Sequence, residues 1–288
     1  MGAPMAGHLT AAGHQVSVYN RTRAKADAWG ERHGGTAADS PAEAAAGAEA
    51  VIACVGNDSD VEQVTIGPGG AFEAMAAGAL WIDHSTVSAS LARRLADEAE
   101  HRGLLAVDAP VSGGQAGAES GKLAAMCGGS EPAFARAEPL ISAYCARIVR
   151  IGPAGSGQLA KMVNQIAIAG LVEGLAEAVH FTKAAGLNPQ KVFDAISAGA
   201  ASSWQMHNRW QTMVAGEFEF GFAIDWMRKD LGLTLDEARR NGARLPVTAL
   251  VDQFYAELQA AGGGRLDTSS LAKRYEAPVD RSGVSSDI

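Results

Sequence analysis

The pattern of the chain changes at Gly152, and that change limits the possible folds more than any other feature. Before it, short β-rich runs alternate with amphipathic segments, the signature of a parallel sheet with crossover helices. The expected strands are Gln15–Tyr19, Ala50–Val55, Leu80–Asp83, Leu104–Val111, Leu123–Cys127 and Arg147–Ile151. The expected helices are Ala3–Ala12, Arg23–His33, Pro41–Ala46, Ser88–Arg102 and Glu131–Ala143. Ser40-Pro41-Ala42-Glu43 reads as a capping box with proline at the first helical position. After Gly152 the character is helical throughout. Apolar residues recur at helical spacing from Gly157 to about Ala185, Gly186 is a stop signal, and Asn188-Pro189 starts again. Such a helix would span roughly 40 Å. Further helices are expected at Gln190–Ser197, Trp204–Val214, Ile224–Asn241 and Val247–Ala260, with no strand among them. The expected organisation is an α/β domain at 1–152, an all-helical domain at 153–277 reached through a long interdomain helix, and a loose polar tail at 278–288.

At 288 residues the chain is long enough for two domains with their own cores. Its net charge of −8, with no Lys/Arg run, argues against a nucleic acid or other polyanion as partner. Cys54, Cys127 and Cys145 have no CxxC spacing and suit a reducing cytoplasm. No secretory signal opens the chain. The most membrane-like window, Met162 to Phe181, contains Asn164, Gln165, Glu173, Glu177 and His180, and reads as a buried helix of a soluble protein.

The first residues, Met1-Gly2-Ala3-Pro4-Met5-Ala6-Gly7, already have the look of a helix. A Rossmann-type, doubly wound dinucleotide fold places a strand and a Gly-x-Gly turn before that helix. Gly2 fits the third glycine of that fingerprint, the one that permits close helix–strand packing. The first strand and the first two glycines are missing, so about ten further residues are expected upstream. The second strand ends in Asn20-Arg21-Thr22, with no carboxylate before Asp27. An acidic residue there would hold the ribose 2′-hydroxyl of NAD, whereas an arginine accommodates the 2′-phosphate of NADP. NADP is therefore the expected cofactor, with NAD as the alternative.

Two features suggest chemistry on a small anion. Lys161 and Asn164 lie three apart on the long helix and so share a face. A lysine on a helix is commonly a solvated surface residue. Here it opens an apolar run, where desolvation can bring its pKa towards the range useful for proton transfer. Ser112-Gly113-Gly114 follows an apolar strand; paired glycines expose backbone N–H groups, and the serine hydroxyl completes a nest for an anion. The same tripeptide is also ordinary turn chemistry.

Together these residues resemble the β-hydroxyacid dehydrogenase family, which includes 3-hydroxyisobutyrate dehydrogenases, tartronate semialdehyde reductases and glyoxylate/succinic semialdehyde reductases. The resemblance rests on Asp108-Ala109-Pro110-Val111-Ser112-Gly113-Gly114, on Gly155-Ser156-Gly157 through Lys161-Met162-Val163-Asn164-Gln165, and on Lys229-Asp230-Leu231. It runs from Met1 to Asp267-Thr268-Ser269-Ser270-Leu271. It implies a helical C-terminal domain like that of 6-phosphogluconate dehydrogenase, and Lys161 as the acid/base of hydride transfer to a carbonyl. It implies that Ser112, Gly113 and Gly114 hold the substrate carboxylate and that Asn164 orients the substrate. It implies that Val55, Gly56 and Thr86 line the cofactor, with Lys229 near its nicotinamide end. Gln165 stands where many members have a second asparagine. Imine reductases share the architecture but typically replace the lysine, so Lys161 argues against that branch.

Other residues admit two readings. Trp204 fits a substrate-pocket wall, as the resemblance implies, or ordinary helix packing with Trp210 and Met213. Phe218, Phe220 and Phe222 read as core or interface. Asp225 and Asp230 flank Lys229 as candidate ion partners. His84 and His207 lack paired ligand spacing, so no metal is expected. The long apolar helix predicts a homodimer or homotetramer. The expected function is interconversion of a small hydroxy acid with its aldehyde or keto acid. The alternatives are an imine or carbonyl reductase of a substrate without a carboxylate, and a non-enzymatic remnant.

Overall fold

Strand and helix alternate through the N-terminal half as the hydrophobic pattern requires. In the computed structural model, which describes residues 1–275, they are α1 (Gly2–Ala11), β1 (Ser17–Val18), α2 (Arg23–His33), β2 (Thr36–Ala37), α3 (Pro41–Ala45), β3 (Ala50–Ala53) and α4 (Asp58–Thr65). There follow β4 (Leu80–Asp83), α5 (Ala89–His101), β5 (Leu105–Asp108), β6 (Val111–Ser112), α6 (Gly114–Glu119), β7 (Leu123–Gly129), α7 (Glu131–Ile141) and β8 (Cys145–Gly152). Helix starts carry their caps: the side chains of Ser40, Asn57, Ser88 and Ser130 each accept a backbone N–H of the first turn they precede. The tail expected at 278–288 lies outside the described residues, as does the expected domain end at 277.

This is a Rossmann-like unit, but its sheet is mixed, which corrects the expectation of a parallel one. β3, β4 and β5 pair in parallel, as do β7 and β8, whereas β5 and β6 both run antiparallel to β7. The reason is the connection. Only residues 113–122 join β6 to β7, too few for the crossover that a parallel pair needs. The run expected as one strand, Leu104–Val111, is divided at Ala109-Pro110 into β5 and β6. Pairing is nevertheless continuous: the Pro110 carbonyl accepts the Met126 N–H at 3.0 Å. No strand precedes α1 among the described residues. β1 pairs with β2 in a separate two-stranded parallel sheet, and β3 lies at the edge of the larger one.

The main sheet is covered on both faces. Along β4, Leu80 and Ile82 join a cluster with Met5 and Leu9 of α1 and Ala133, Ala137 and Ile141 of α7. Trp81, between them, joins the opposite cluster with Val61 of α4 and Leu91 and Leu95 of α5. Every residue of β4 is buried, as expected of a central strand between two helical layers.

In the second unit, which begins at Gln165, every element among the described residues is a helix. α8 (Ser156–Ala184) belongs to the first unit up to Asn164 and to the second thereafter. It is followed by α9 (Pro189–Ile196), α10 (Trp204–Ala215), α11 (Ile224–Asn241) and α12 (Pro246–Leu258). Ala169, Val172, Leu175, Ala176 and Val179 of α8 pack with Trp210, Ile224, Met227 and Tyr255. α10 and α11 end at the left-handed glycines Gly216 and Gly242. α8 is long and apolar enough to cross a membrane by length and composition. It also buries Gln158, Lys161, Gln165, Glu173 and Thr182.

Candidate active site

The start of α8 approaches the sheet so closely that side chains are excluded. A Cβ added at Gly157 would lie 2.4 Å from the Met126 carbonyl and 2.5 Å from that of Asp108. One added at Gly128 would lie 2.7 Å from the Gly157 nitrogen. In that contact the Asp108 carboxylate caps the helix from another strand, accepting the Gly155 N–H at 2.7 Å and the Gln158 N–H at 3.0 Å. Burial pushes the Asp108 carboxyl up to about 7, against the downward pull of those two N–H bonds.

Two turns of helix place Lys161 against the substrate loop expected from the sequence. The lysine is 8% exposed, and its Nζ donates to the Val111 carbonyl at 3.0 Å. Ser112, the next residue, is half-buried at the end of β6. Gly113 and Gly114 are exposed and have φ of 127° and 62°, conformations that favour glycine. Asn164 lies one turn beyond Lys161 and is half-buried. The lysine and the Ser-Gly-Gly turn are therefore brought together within one unit.

The strand-end loops join the same helix. The Gln158 carboxamide donates from Nε2 to the Ser85 carbonyl at 2.9 Å, and its Oε1 accepts the Val87 N–H at 3.0 Å. The Ser85 hydroxyl oxygen in turn accepts the Val55 N–H at 2.9 Å. Thr86, between the two residues that Gln158 bridges, is half-buried, as are Val55 and Gly56. His84 braces the junction between β5 and β6: its Nδ1 donates to the Ala109 carbonyl at 2.6 Å, so Nε2 accepts from the Tyr144 hydroxyl at 2.9 Å. Burial pushes this imidazole down to about 4. It is a neutral brace.

Several of the residues expected to bind cofactor lie on turns after β1 and β3. Gly56 links β3 to α4 through Asn57, whose side chain accepts the Asp60 N–H at 2.9 Å. The turn after β1 is shaped by Asn20, which accepts the Thr22 N–H at 2.9 Å. Arg21 projects from it with its side chain 84% exposed, 3.6 Å from Asp60. Gly2 opens α1. A Cβ there would meet Cys54 at 3.6 Å, an ordinary contact.

Lys229 and Trp204 lie in the helical unit. Lys229 pairs with Asp230 at 3.0 Å, and Gln165 donates to the same carboxylate at 2.7 Å. Asp225, the other candidate partner, instead accepts from Gln259 at 2.6 Å. Trp204 is 59% exposed, with the Arg209 guanidinium 5.1 Å from its ring and anchored by Asp267 at 2.9 Å. Among the described residues no group of three His, Cys, Asp or Glu side chains could hold a metal ion.

Sequence reasoning passed over Gln158, Asp108 as a cap, Ser85 and the His84–Tyr144 brace. Only Gln158 left a readable signal, since it precedes Lys161 by one helical turn.

A buried amine beside a Rossmann-like sheet is compatible with a nicotinamide-dependent oxidoreductase. Comparison with known proteins narrows the class. The profile for the NAD binding domain of 6-phosphogluconate dehydrogenase matches residues 1–152. The profile for the NAD-binding domain of NADP-dependent 3-hydroxyisobutyrate dehydrogenase matches residues 155–275. An uncharacterized oxidoreductase of Shewanella frigidimarina is 58% identical over 96% of this chain and 95% of its own length. The 3-hydroxyisobutyrate dehydrogenase of Pseudomonas aeruginosa is 35% identical over 96% of this chain and 95% of its own. The solved structure of Mycobacterium tuberculosis 3-hydroxyisobutyrate dehydrogenase with L-serine superimposes with a TM-score of 0.88 at 33% identity, covering 96% of each chain. The chain belongs to the β-hydroxyacid dehydrogenase family, and its activity is that of an NAD(P)-dependent hydroxyacid dehydrogenase.

Proposed function

We propose that the chain interconverts a small 3-hydroxy, 2-hydroxy or 4-hydroxy carboxylic acid and its aldehyde or keto acid, with Lys161 as the general acid/base. The observation that carries this reading is the buried Lys161 amine 3.0 Å from the Val111 carbonyl, one residue before Ser112-Gly113-Gly114. A carboxylate held by that turn sets its carbonyl within reach of the amine. When bound, the nicotinamide supplies or accepts hydride at the carbonyl carbon. Lys161 gives its proton to the carbonyl oxygen in reduction and takes it from the hydroxyl in oxidation. Asn164 hydrogen-bonds the substrate from the same helical face. The L-serine held in the Mycobacterium tuberculosis structure, a 3-hydroxy acid, supports this substrate class. In this reading residues 1–152 bind the dinucleotide.

The testing assay is NADPH oxidation with glyoxylate or succinic semialdehyde, beside aldehydes of the same length that lack the carboxylate. Ser112→Ala is expected to raise KM for the carboxylate substrates about tenfold, the worth of one hydrogen bond to a charged group, with kcat little changed. Equal turnover of the uncharged aldehydes, with Ser112→Ala silent, would point to a carbonyl or imine reductase instead.

NADP is the preferred cofactor in this reading. Arg21 is exposed, and its ion pair with Asp60 at 3.6 Å is a surface pair of small worth that a 2′-phosphate can displace. Arg21→Asp is expected to raise KM for NADPH about tenfold or more and to leave KM for NADH nearly unchanged. Equal losses with both cofactors would remove the assignment.

We also propose a soluble, cytoplasmic homodimer or homotetramer. Val163, Leu171 and Phe181 of α8 and Val247 and Leu250 of α12 are exposed apolar residues of the kind that subunit contacts cover. Light scattering in detergent-free buffer should give a mass of two or four chains; a monomer at working concentration contradicts this.

A further inference from the structure

We propose that Gln158 is a positioning residue that ties the cofactor loop to the helix carrying the proton donor. The inference rests on the assignment of Lys161 as acid/base. Gln158 is fully buried and stands one turn before Lys161 on α8. Its carboxamide grips two backbone groups of a single loop, the Ser85 carbonyl at 2.9 Å and the Val87 N–H at 3.0 Å. The residue between them is Thr86, on the cofactor side of the proposed reaction. The grip extends to a second strand-end loop, because the Ser85 hydroxyl oxygen also accepts the Val55 N–H at 2.9 Å.

The backbone of Gln158 is fixed as well. Its N–H donates to Asp108 at 3.0 Å, while the Ser85 N–H donates to Asp83 at 2.8 Å. Asp83 and Asp108 are register partners on β4 and β5. Gln158 therefore connects the loop after β4 to the helical turn that presents the amine, and the Ser85 hydroxyl extends the link to the loop after β3. Hydride and proton reach adjacent atoms of one carbonyl, so a small displacement of one donor relative to the other slows reaction steeply.

The chemistry of the grip is specific to an amide. It needs one donor and one acceptor in a plane at the end of a two-methylene stem. Methionine fills the space but leaves the Ser85 carbonyl and the Val87 N–H without this partner. A glutamate carboxylate can accept from Val87 but faces the Ser85 carbonyl with a second acceptor. A protonated glutamate restores the donor.

The test uses Gln158→Met and Gln158→Glu in the full chain, with NADPH and with NADPH deuterated at the transferred position. Gln158→Met is expected to lower kcat about tenfold to a hundredfold and to raise the primary isotope effect, as hydride transfer becomes limiting. KM for the carboxylate substrate should stay within about threefold, since the Ser112 turn is untouched. Gln158→Glu is expected to regain about tenfold in kcat, relative to wild type, as pH falls from 8 to 5.5 and the buried carboxyl takes up a proton. That recovery is readable even if the methionine variant does not fold. A kcat that falls only with the folded fraction, an unchanged isotope effect, or a glutamate variant whose pH profile parallels wild type would overturn the proposal. Lys161→Ala assayed alongside separates the two ideas. Full activity there removes the lysine's role, and this inference with it. Loss there, with Gln158→Met leaving the isotope effect unmoved, removes only the role of Gln158.

Discussion

Lys161→Ala is expected to lower kcat about a thousandfold and to leave KM for the carboxylate substrate within about threefold of wild type. The size follows from what the residue is assigned to do. A positioned acid/base contributes typically 10²–10⁴ in rate, or about 3–5 kcal/mol of transition-state stabilisation. The small effect on KM follows from geometry, because the carboxylate is assigned to the Ser112-Gly113-Gly114 turn and not to the amine. Lys161→Arg should be nearly as inactive as alanine, although it keeps the charge. A guanidinium holds its proton far too tightly to exchange it with a carbonyl oxygen. Small primary amines added to the alanine variant should restore part of the rate, more for those whose size matches the missing side chain. Steady-state kinetics with and without methylamine and ethylamine check both points. An alanine variant within about fivefold of wild-type kcat would falsify the acid/base assignment.

Much of the architecture was legible because hydrophobic period carries it. α2 and α11 begin and end where the pattern places them, and α8 differs by one residue at each end. The proximity of the two candidate motifs, Ser-Gly-Gly after an apolar strand and Lys-x-x-Asn on a helix, is not itself local; the structure adds it through the Lys161–Val111 contact. What escaped was either short or distant. α4 opens Asp58-Ser59-Asp60 and has Val61 as its first buried residue, so it carries little helical period. α6 is six residues of mostly glycine and alanine, and β2 is two residues long. The antiparallel turn of the sheet depends on the length of the β6–β7 connection, which period alone does not report. Asp108 is the clearest case of distance. Its partners at the start of α8 lie 47 and 50 residues further along the chain. The sequence presents it as one letter of a motif, and only the folded sheet makes it a cap.

That cap gives the second large expectation. Asp108→Asn should remove a pH dependence of stability that wild type shows between pH 4 and 7. The carboxyl titrates at about 7 in the folded chain and at 3.8 as the reference for the unfolded one, with burial the main cause and the Asp83 charge a smaller one in the same direction. Between those values the folded state keeps a proton that the unfolded state has released. Stability therefore falls as pH rises through this window, the reverse of a salt-bridged aspartate. A difference of about three pKa units corresponds to a loss on the order of 4 kcal/mol across it. Asparagine does not titrate, so the contribution disappears. It also accepts only one of the two N–H groups of Gly155 and Gln158, which costs about 1–3 kcal/mol at every pH. The variant should thus be much less stable than wild type near pH 4 and comparable to it, or more stable, near pH 8. The measurement is the difference between the two proteins in the unfolding transition of the α/β unit, followed through Trp29 and Trp81 at several pH values. Both tryptophans are buried in that unit. A difference that stays constant from pH 4 to 8 would mean that Asp108 remains ionised throughout. The two N–H bonds at the start of α8 would then outweigh burial in setting its charge.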